Sequence, residues 1–353
     1  MADLAPSPNP SESPAALLRL CPQHGPTPLA DLPRLAAALS VGAVLVKNEG
    51  RRPLGSFKAL GGVYAGLRAL ARAAGVPVTS LLDQTRARPP LPALVCASDG
   101  NHGLAVAAAA RLTGARARVF LPDIVPAARI ARILAKGAEV VRIAGTYDEA
   151  VRAAANVSQR EGNLLIADTS DDPADPVVAD VMAGYGVIAD ETKAQLVECR
   201  HAAPTHLFVQ AGVGGLAAAI AAGLHGILAP PARIVVVEPE SAACVGAALA
   251  LRRVALIEGA LETSAEMLSC GEASAPALAI LLLYGAEAMT ASEAGLMAAP
   301  GLLLAQGGPP TTASGAAGLA GLCAALADPE LCEPLALGAS SRVLLIATEA
   351  PPA

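Results

Sequence analysis

The chain has 353 residues, of which 54% are apolar and only 2% aromatic, and its formal net charge is −6. This length is sufficient for a large core and for two domains. The acidic charge and the lack of a Lys/Arg-rich run exclude the usual signature of a nucleic-acid-binding protein. Seven cysteines without a C-x-x-C pair favour a reduced, cytoplasmic protein without a metal site.

The N-terminal segment MADLAPSPNPSESP is polar and proline-rich, and no basic segment precedes an apolar run. This composition predicts a disordered arm over residues 1–20 and argues against a signal peptide. Further along, the stretches 202–232 and 294–327 contain no Asp, Glu, Lys or Arg. Glycine and proline interrupt both, so we expect buried helices here and no contact with a membrane.

From about residue 41 the chain alternates strand-like runs with helical segments. The predicted strands cover 43–48, 93–98, 117–122, 138–143, 163–168, 205–210, 233–239 and 342–348. The predicted helices cover 58–74, 102–112, 126–135, 147–160 and a segment that begins at 216. This alternation predicts an α/β fold of two lobes, each a mostly parallel twisted sheet flanked by helices. We expect a small domain over 59–165 and a large domain formed by 21–58 and 166–353.

Lys58 lies in the motif GSFKALGG (55–62), where the first predicted helix begins. It is one of only four lysines among 25 basic residues, so arginine supplies most of the positive charge. A lysine amine forms an imine with an aldehyde, whereas a guanidinium stays protonated and does not. We therefore interpret Lys58 as a candidate catalytic residue, and an ordinary surface lysine is the alternative.

The motif SDGNHG (98–103) follows a predicted strand and begins a helix. Its polar residues Asp99, Asn101 and His102 cluster at the carboxyl end of the strand, where open α/β sheets bind ligands. The alternative is a turn that Gly100 allows and that Asn101 caps.

The motif QAGVGGLAAA (210–219) connects another strand to a helix. Its glycines expose backbone N–H groups at a helix N-terminus, which suits a phosphate group. The same residues leave a second interpretation open. Gly212, Gly214 and Ala217 fit the dinucleotide fingerprint with Glu238 as its ribose-binding acid, which predicts an NAD-dependent oxidoreductase. That alternative gives Lys58 no role.

In this order and spacing, GSFKALGG, SDGNHG and QAGVGG resemble the fold type II pyridoxal-phosphate enzymes, the tryptophan synthase β and threonine dehydratase group. Within this group, FKALGGVYA and the aspartate before Gly-Asn-His-Gly are similar to the diaminopropionate ammonia-lyases. Further similarity, as in ADTS (167–170) and LLIATE (344–349), extends over nearly the whole chain from about residue 40. The resemblance implies pyridoxal 5'-phosphate as cofactor, a small amino acid as substrate and a homodimer. The implied reaction is α,β-elimination of 2,3-diaminopropionate to pyruvate and two ammonia.

The resemblance also implies roles for individual residues. Lys58 would hold the aldehyde of the cofactor, and Asn101 would donate a hydrogen bond to its phenolic oxygen. Asp99 and Asp168 are the candidate acids for the leaving amino group, and Asp99 or Lys58 would remove the Cα proton. The backbone N–H groups of Gly212, Val213, Gly214 and Gly215 would hold the phosphate. The hydroxyl of Thr348 would bond the pyridine nitrogen. The alternative is that Thr348 is an ordinary threonine at a strand end, with its hydroxyl hydrogen-bonded within the protein.

Three segments depart from the resembled family. DDPADPVVAD (171–180) replaces a Trp-Glu-Gly-Tyr segment, Ala313 replaces a glutamate, and the sequence stops at TEAPPA where the family continues. Because the first of these segments faces the substrate in the family, a serine/threonine-type dehydratase or an inactive paralogue remains an alternative. Cys244 and Cys270 fall where the family also places cysteine, and both a disulfide and separate burial remain open.

Overall fold

The computed structural model describes residues 12–83, 90–98, 100–145 and 147–352. The chain divides into two compact units. Unit 1 takes in the N-terminal residues up to Gly25 together with Lys58–Ala167. Unit 2 takes in Pro26–Phe57 and the residues from Asp168 onward.

Unit 1 contains a parallel sheet in the order β5-β4-β3-β6. Its strands are β3 (Leu94–Ala97), β4 (Ala117–Pro122), β5 (Glu139–Ile143) and β6 (Leu164–Leu165). Its helices are α1 (Pro14–Leu18), α3 (Lys58–Ala74), α4 (Val78–Leu82), α5 (Asn101–Thr113), α6 (Ala127–Leu134) and α7 (Tyr147–Glu161).

Small residues bring α3 and α5 close together. A Cβ atom at Gly62 would lie 2.6 Å from Cβ of Ala105, and one at Gly66 would lie 2.8 Å from Cβ of Ala109. The two glycines are four residues apart and therefore share one face of α3. Their missing side chains let the helix that begins at Lys58 pack directly against α5, which begins at Asn101.

Unit 2 contains a six-stranded sheet in the order β1-β2-β10-β7-β8-β9, in which only β1 is antiparallel to its neighbour. Its strands are β1 (Leu29–Asp31), β2 (Ala43–Asn48), β7 (His206–Gln210), β8 (Arg233–Pro239), β9 (Glu287–Ala291) and β10 (Arg342–Ala347). Its helices are α2 (Pro33–Ala38), α8 (Pro176–Glu198), α9 (Gly215–Leu224), α10 (Cys244–Leu251), α11 (Ala275–Leu283), α12 (Glu293–Ala305), α13 (Ala317–Ala327) and α14 (Pro329–Leu335).

The central strands of unit 2 are buried on both faces. β7 and β8 consist largely of buried apolar residues, as parallel strands covered by helices require. One core cluster includes Phe208, Val235 and Val237 from these strands and Leu319 and Leu322 from α13. Since β10, β7 and β8 run parallel, the residues that follow their carboxyl ends share one edge of the sheet.

The predicted α/β class with mostly parallel sheets is confirmed. The prediction of a disordered arm over 1–20 is wrong for part of its described residues, because Pro14–Leu18 form α1. Ser13 caps this helix by accepting a hydrogen bond from Ala16 N at 3.3 Å, and Leu17 and Leu18 are buried. A proline in the first turn and two buried leucines stabilise a helix that the polar composition concealed.

The domain boundaries differ by a few residues from the predicted ones. Lys58 and residues 166–167 belong to unit 1, as do the described residues up to Gly25. The uncharged stretch 294–327 is divided between α12 and α13. No helix in the described part of the chain is long and apolar enough to cross a membrane.

Candidate active site

Lys58 is the first residue of α3 and follows a tight turn of unit 2. Leu54 and Gly55 in this turn have φ values of 70° and 80°. The turn is fixed to the residues after β10, because Phe57 N donates to Thr348 O at 3.1 Å and Ala350 N donates to Gly55 O at 2.9 Å. The backbone that leads into the half-buried Lys58 is therefore held by the end of a central strand.

A buried group of charged residues lies just before this turn. Arg52 donates to Glu49 Oε2 through Nε at 2.8 Å and to both carboxylate oxygens of Glu191. Lys47 Nζ donates to Glu191 Oε2 at 2.7 Å and to Thr27 O at 2.8 Å. Two positive and two negative charges thus balance inside unit 2, as buried charges require. Sequence reasoning missed this group, since Glu191 lies far along the chain from its partners.

The turn between β7 and α9 has the features of an anion site. Gly214 has a φ of 95°, which favours glycine, and its carbonyl accepts the first hydrogen bond of α9 from Ala218 N. Within the described part of the chain, the N–H groups of Gly212, Val213, Gly214 and Gly215 have no hydrogen-bond acceptor. Four such donors at a helix N-terminus suit a phosphate group.

Cys244 and Cys270, whose pairing the sequence left open, border this turn and form no disulfide. Cys244 Sγ donates to Gly212 O at 3.4 Å, and a Cβ atom at Gly212 would lie 3.0 Å from Cys270 Sγ. Burial raises the pKa of Cys244, which keeps the thiol protonated and able to donate. The structure therefore contains no disulfide between them.

The carboxylate of Glu238 is not placed as the dinucleotide interpretation requires. Its side chain is fully buried, and its two oxygens accept hydrogen bonds from Val245 N and Gly246 N, each at 2.7 Å. Burial raises the pKa of Glu238 to about 7, although these hydrogen bonds oppose the rise. The carboxylate caps α10 and is not presented to a ribose, which contradicts the oxidoreductase alternative.

Thr348, directly after β10, is buried, and its hydroxyl oxygen accepts a hydrogen bond from Gln210 Nε2 at 3.4 Å. Gln210 is the last residue of β7, so this contact joins Thr348 to the strand that enters the Gly212–Gly215 turn. Asp168, the first residue of the second segment of unit 2, is 8% exposed, and its carbonyl oxygen lies 4.0 Å from the Cβ position of Gly215. Three predicted parts of the site are therefore neighbours within unit 2.

The SDGNHG motif forms the turn into α5, with a different cap from the predicted one. Ser98 Oγ accepts hydrogen bonds from Gly100 N at 2.9 Å and Gly103 N at 2.8 Å, and Asn101 is the first helical residue. His102 is buried with Nε2 2.8 Å from Ile166 O. Asp99 lies outside the described residues. Lys58 and Asn101 thus begin the two closely packed helices of unit 1.

Known proteins resemble this chain over nearly its full length. A family model described as pyridoxal-phosphate dependent enzyme matches residues 20–349. The curated diaminopropionate ammonia-lyase of Escherichia coli K12 is 31% identical over 356 residues, which cover 96% of this chain and 89% of the relative. The crystal structure of the Escherichia coli enzyme in complex with an aminoacrylate-PLP azomethine reaction intermediate matches with a TM-score of 0.86 and 29% identity, covering 98% and 90% of the two chains. The structure of the processed form of threonine deaminase isoform 2 from Solanum lycopersicum matches with a TM-score of 0.72 and 26% identity, covering 92% and 84%.

Proposed function

The chain belongs to the family of pyridoxal-phosphate dependent enzymes, and we propose that it is an ammonia-lyase that converts 2,3-diaminopropionate and water to pyruvate and two ammonia. The structural observation that carries the proposal is the Gly212–Gly215 turn, whose four N–H groups have no acceptor in the described part of the chain. The choice of substrate is supported by the similarity to curated diaminopropionate ammonia-lyases over most of both chains.

Two features of unit 2 fit pyridoxal phosphate. The N–H groups of this turn and the N-terminus of α9 suit its phosphate. Within the described residues, no negatively charged side chain bonds these N–H groups. The buried hydroxyl of Thr348 suits its ring nitrogen. When bound, this cofactor supplies an aldehyde for the substrate amine and an electron sink for the carbon that loses its proton.

The chain's own residues supply attachment, orientation and proton transfer in this proposal. Lys58 holds the cofactor aldehyde between turnovers, and its position is set by the turn that Thr348 O and Ala350 N fix. Asn101 donates to the phenolic oxygen. Lys58 or Asp99 removes the Cα proton.

The β-amino group is a poor leaving group until it is protonated, so the reaction needs an acid close to it. Asp99 and Asp168 are the proposed donors. Asp168 is 8% exposed, and its backbone adjoins the Gly212–Gly215 turn, a position consistent with this role.

The segment 171–180, which departs from the resembled family, has a local structural role. Asp175 Oδ1 caps α8 by accepting hydrogen bonds from Val177 N at 2.8 Å and Val178 N at 3.1 Å. Asp172 Oδ1 accepts from Ala174 N at 2.9 Å. Since this segment builds a turn and a helix N-terminus, its altered residues are compatible with a retained elimination reaction on a small amino acid.

Pyruvate release tests the proposal. Purified protein with pyridoxal phosphate is incubated with 2,3-diaminopropionate, L-serine or L-threonine, and 2-oxoacid is measured with lactate dehydrogenase, with Lys58→Ala as the inactive control. We expect kcat/KM for 2,3-diaminopropionate to exceed that for both hydroxy amino acids. Faster turnover of serine or threonine would instead identify a dehydratase, and cofactor binding without turnover would identify an inactive paralogue.

We further propose that the enzyme acts in the cytoplasm as a homodimer. The seven cysteines, all within the described residues, form no disulfide, which is compatible with a reducing compartment. The dimer rests on the family resemblance. Light scattering during gel filtration should give twice the 35.0 kDa of the chain, and a monomer mass would contradict the dimer.

A further inference from the structure

The side-chain amide of Gln210 has only one possible orientation. Its Nε2 atom lies 3.0 Å from Ser314 O, 2.9 Å from Gly315 O and 3.0 Å from Ile346 O. Backbone carbonyls only accept hydrogen bonds, so the amide nitrogen has to face them, and a flipped amide would place oxygen against oxygen. Gln210 is also 2% exposed, so the surrounding core keeps it in this position.

This orientation determines how the Thr348 hydroxyl bonds. Nε2 of Gln210 lies 3.4 Å from Thr348 Oγ1 and shares its two hydrogens between this oxygen and the three carbonyls. The threonine oxygen therefore accepts at this contact, and its hydrogen remains to be donated. The described residues offer this hydrogen no acceptor, although Thr348 is only 4% exposed.

A buried donor without an acceptor costs about 1–3 kcal/mol, and a ligand that accepts at this point removes the cost. A pyridine nitrogen accepts a hydrogen bond only while it is unprotonated. A protonated ring nitrogen would instead donate to the second lone pair of the hydroxyl and leave the hydroxyl hydrogen buried without an acceptor. The state of the ring nitrogen is thus coupled to the direction in which the Thr348 hydroxyl points.

We propose that Gln210 is a positioning residue that directs the Thr348 hydroxyl hydrogen toward the ring nitrogen of bound pyridoxal phosphate and thereby keeps that nitrogen unprotonated. The inference rests on the proposed function, since it requires this cofactor in unit 2. Gln210 acts only through Thr348 and contacts neither the substrate nor the reacting atoms.

The proposal predicts that Gln210→Met shifts the ring nitrogen toward its protonated form. Methionine has no N–H group, so the carbonyls of Ser314, Gly315 and Ile346 lose this side-chain donor, and Gly315 O keeps its contact with Thr348 N at 3.4 Å. The hydroxyl of Thr348 lies 3.4 Å from the position of Nε2, and we expect it to turn toward these carbonyls. Its oxygen lone pairs then face the ring nitrogen, where they stabilise the protonated form.

The experiment uses pyridoxal phosphate labelled with ¹⁵N in the ring and measures the nitrogen chemical shift of the reconstituted holoenzyme against pH. We expect an unprotonated nitrogen at neutral pH in the wild type. In Gln210→Met the ratio of protonated to unprotonated nitrogen should rise about tenfold, the effect of one hydrogen bond. Thr348→Val and the double variant should give the same shift as each other, since Gln210 acts through the hydroxyl.

Gln195→Met is the matched control. This amide also contacts a backbone carbonyl in unit 2, donating to Thr27 O at 2.8 Å while its oxygen accepts from Lys47 Nζ at 2.9 Å, and its loss should leave the ¹⁵N shift at the wild-type value. A protonated ring nitrogen in the wild type overturns the inference without any variant, so the test does not depend on the folding of Gln210→Met. Cofactor binding with an unchanged shift in Gln210→Met overturns the inference alone. A wild type that binds no cofactor overturns the proposed function as well.

Discussion

Arg52 and Glu191 form a two-pronged ion pair, with Nη1 2.8 Å from Oε1 and Nη2 2.7 Å from Oε2. The pair connects α8 to the turn before Lys58, because Arg52 O also accepts a hydrogen bond from Gly55 N at 2.8 Å. Both partners are largely removed from water, and Lys47 and Glu49 complete a neutral group around them. The turn that precedes the proposed catalytic lysine is therefore tied to this buried charged group.

Removal of one partner from this group should be costly. Arg52→Gln leaves Glu49 and Glu191 buried with a single positive charge, which typically costs about 3–5 kcal/mol. Urea denaturation measures this loss in the free energy of unfolding. Arg142→Gln is the control, because the Arg142–Asp123 pair is about half exposed and should contribute less than about 1 kcal/mol. Equal losses in the two variants would show that the buried group has no special role in stability.

The same group predicts sensitivity to acid. Burial alone would raise the pKa of Glu191, but the hydrogen bonds and charges of Arg52 and Lys47 outweigh burial and lower it. A carboxylate whose pKa is lower in the folded state stabilises fully above the unfolded pKa, about 4.3, and loses this contribution as the pH falls below it. Unfolding free energies should therefore decline more steeply for the wild type than for Arg52→Gln as the pH falls from about 5 to about 3. Parallel declines would contradict the prediction.

For Glu238 we expect the free energy of unfolding to depend on pH in the opposite direction, and at higher pH. Burial raises its pKa to about 7, so between about pH 4.3 and 7 the folded state binds more protons than the unfolded state. Its contribution to stability therefore decreases as the pH rises through this range, by on the order of 3 kcal/mol. Glu238→Gln cannot titrate, and the stability difference between wild type and variant should change in the variant's favour from pH 5 to pH 7. A constant difference would mean that Glu238 is ionised throughout.

If the Gly212–Gly215 turn binds the phosphate, Gly214→Ala should lower the affinity for the cofactor. Gly214 has a φ of 95°, and a Cβ atom there would lie 3.3 Å from Ala277 Cβ and from Val245 Cγ2. The turn has to move to accept the methyl group, which misaligns its N–H groups, and we expect Kd for pyridoxal phosphate to rise about tenfold or more. Gly226→Ala is the control, since a Cβ atom at Gly226 has no neighbour within 4 Å. Fluorescence titration of both variants makes the measurement, and an equal Kd would argue against phosphate binding at this turn.

Local sequence signals predicted the elements that carry the site. The strands 43–48, 117–122 and 233–239 and the helix 58–74 have the observed bounds, because apolar runs and flanking turns define them within a few residues. β9, an edge strand with partly exposed residues, was not predicted. Its weak apolar pattern gave no comparable signal.

The contacts that hold the site together could not be predicted, since they join residues far apart in the sequence. Nothing near Arg52 indicates Glu191 as its partner, and nothing near Gln210 indicates a contact with Thr348. In the SDGNHG turn, both Ser98 and Asn101 are good capping residues, and only the structure shows that Ser98 accepts the hydrogen bonds. Tertiary packing decides between locally equivalent choices.

The central claim is that Lys58 carries pyridoxal phosphate, and borohydride reduction followed by peptide mapping tests it most directly. The chain has four lysines, and Nζ of Lys47 is buried in hydrogen bonds to Glu191 and Thr27. The reconstituted protein should be yellow, borohydride should bleach the colour, and mass spectrometry should find the reduced cofactor on the peptide that contains Lys58 and not in Lys58→Ala. A colourless protein, or an adduct on Lys136 or Lys193 in place of Lys58, would contradict the assignment.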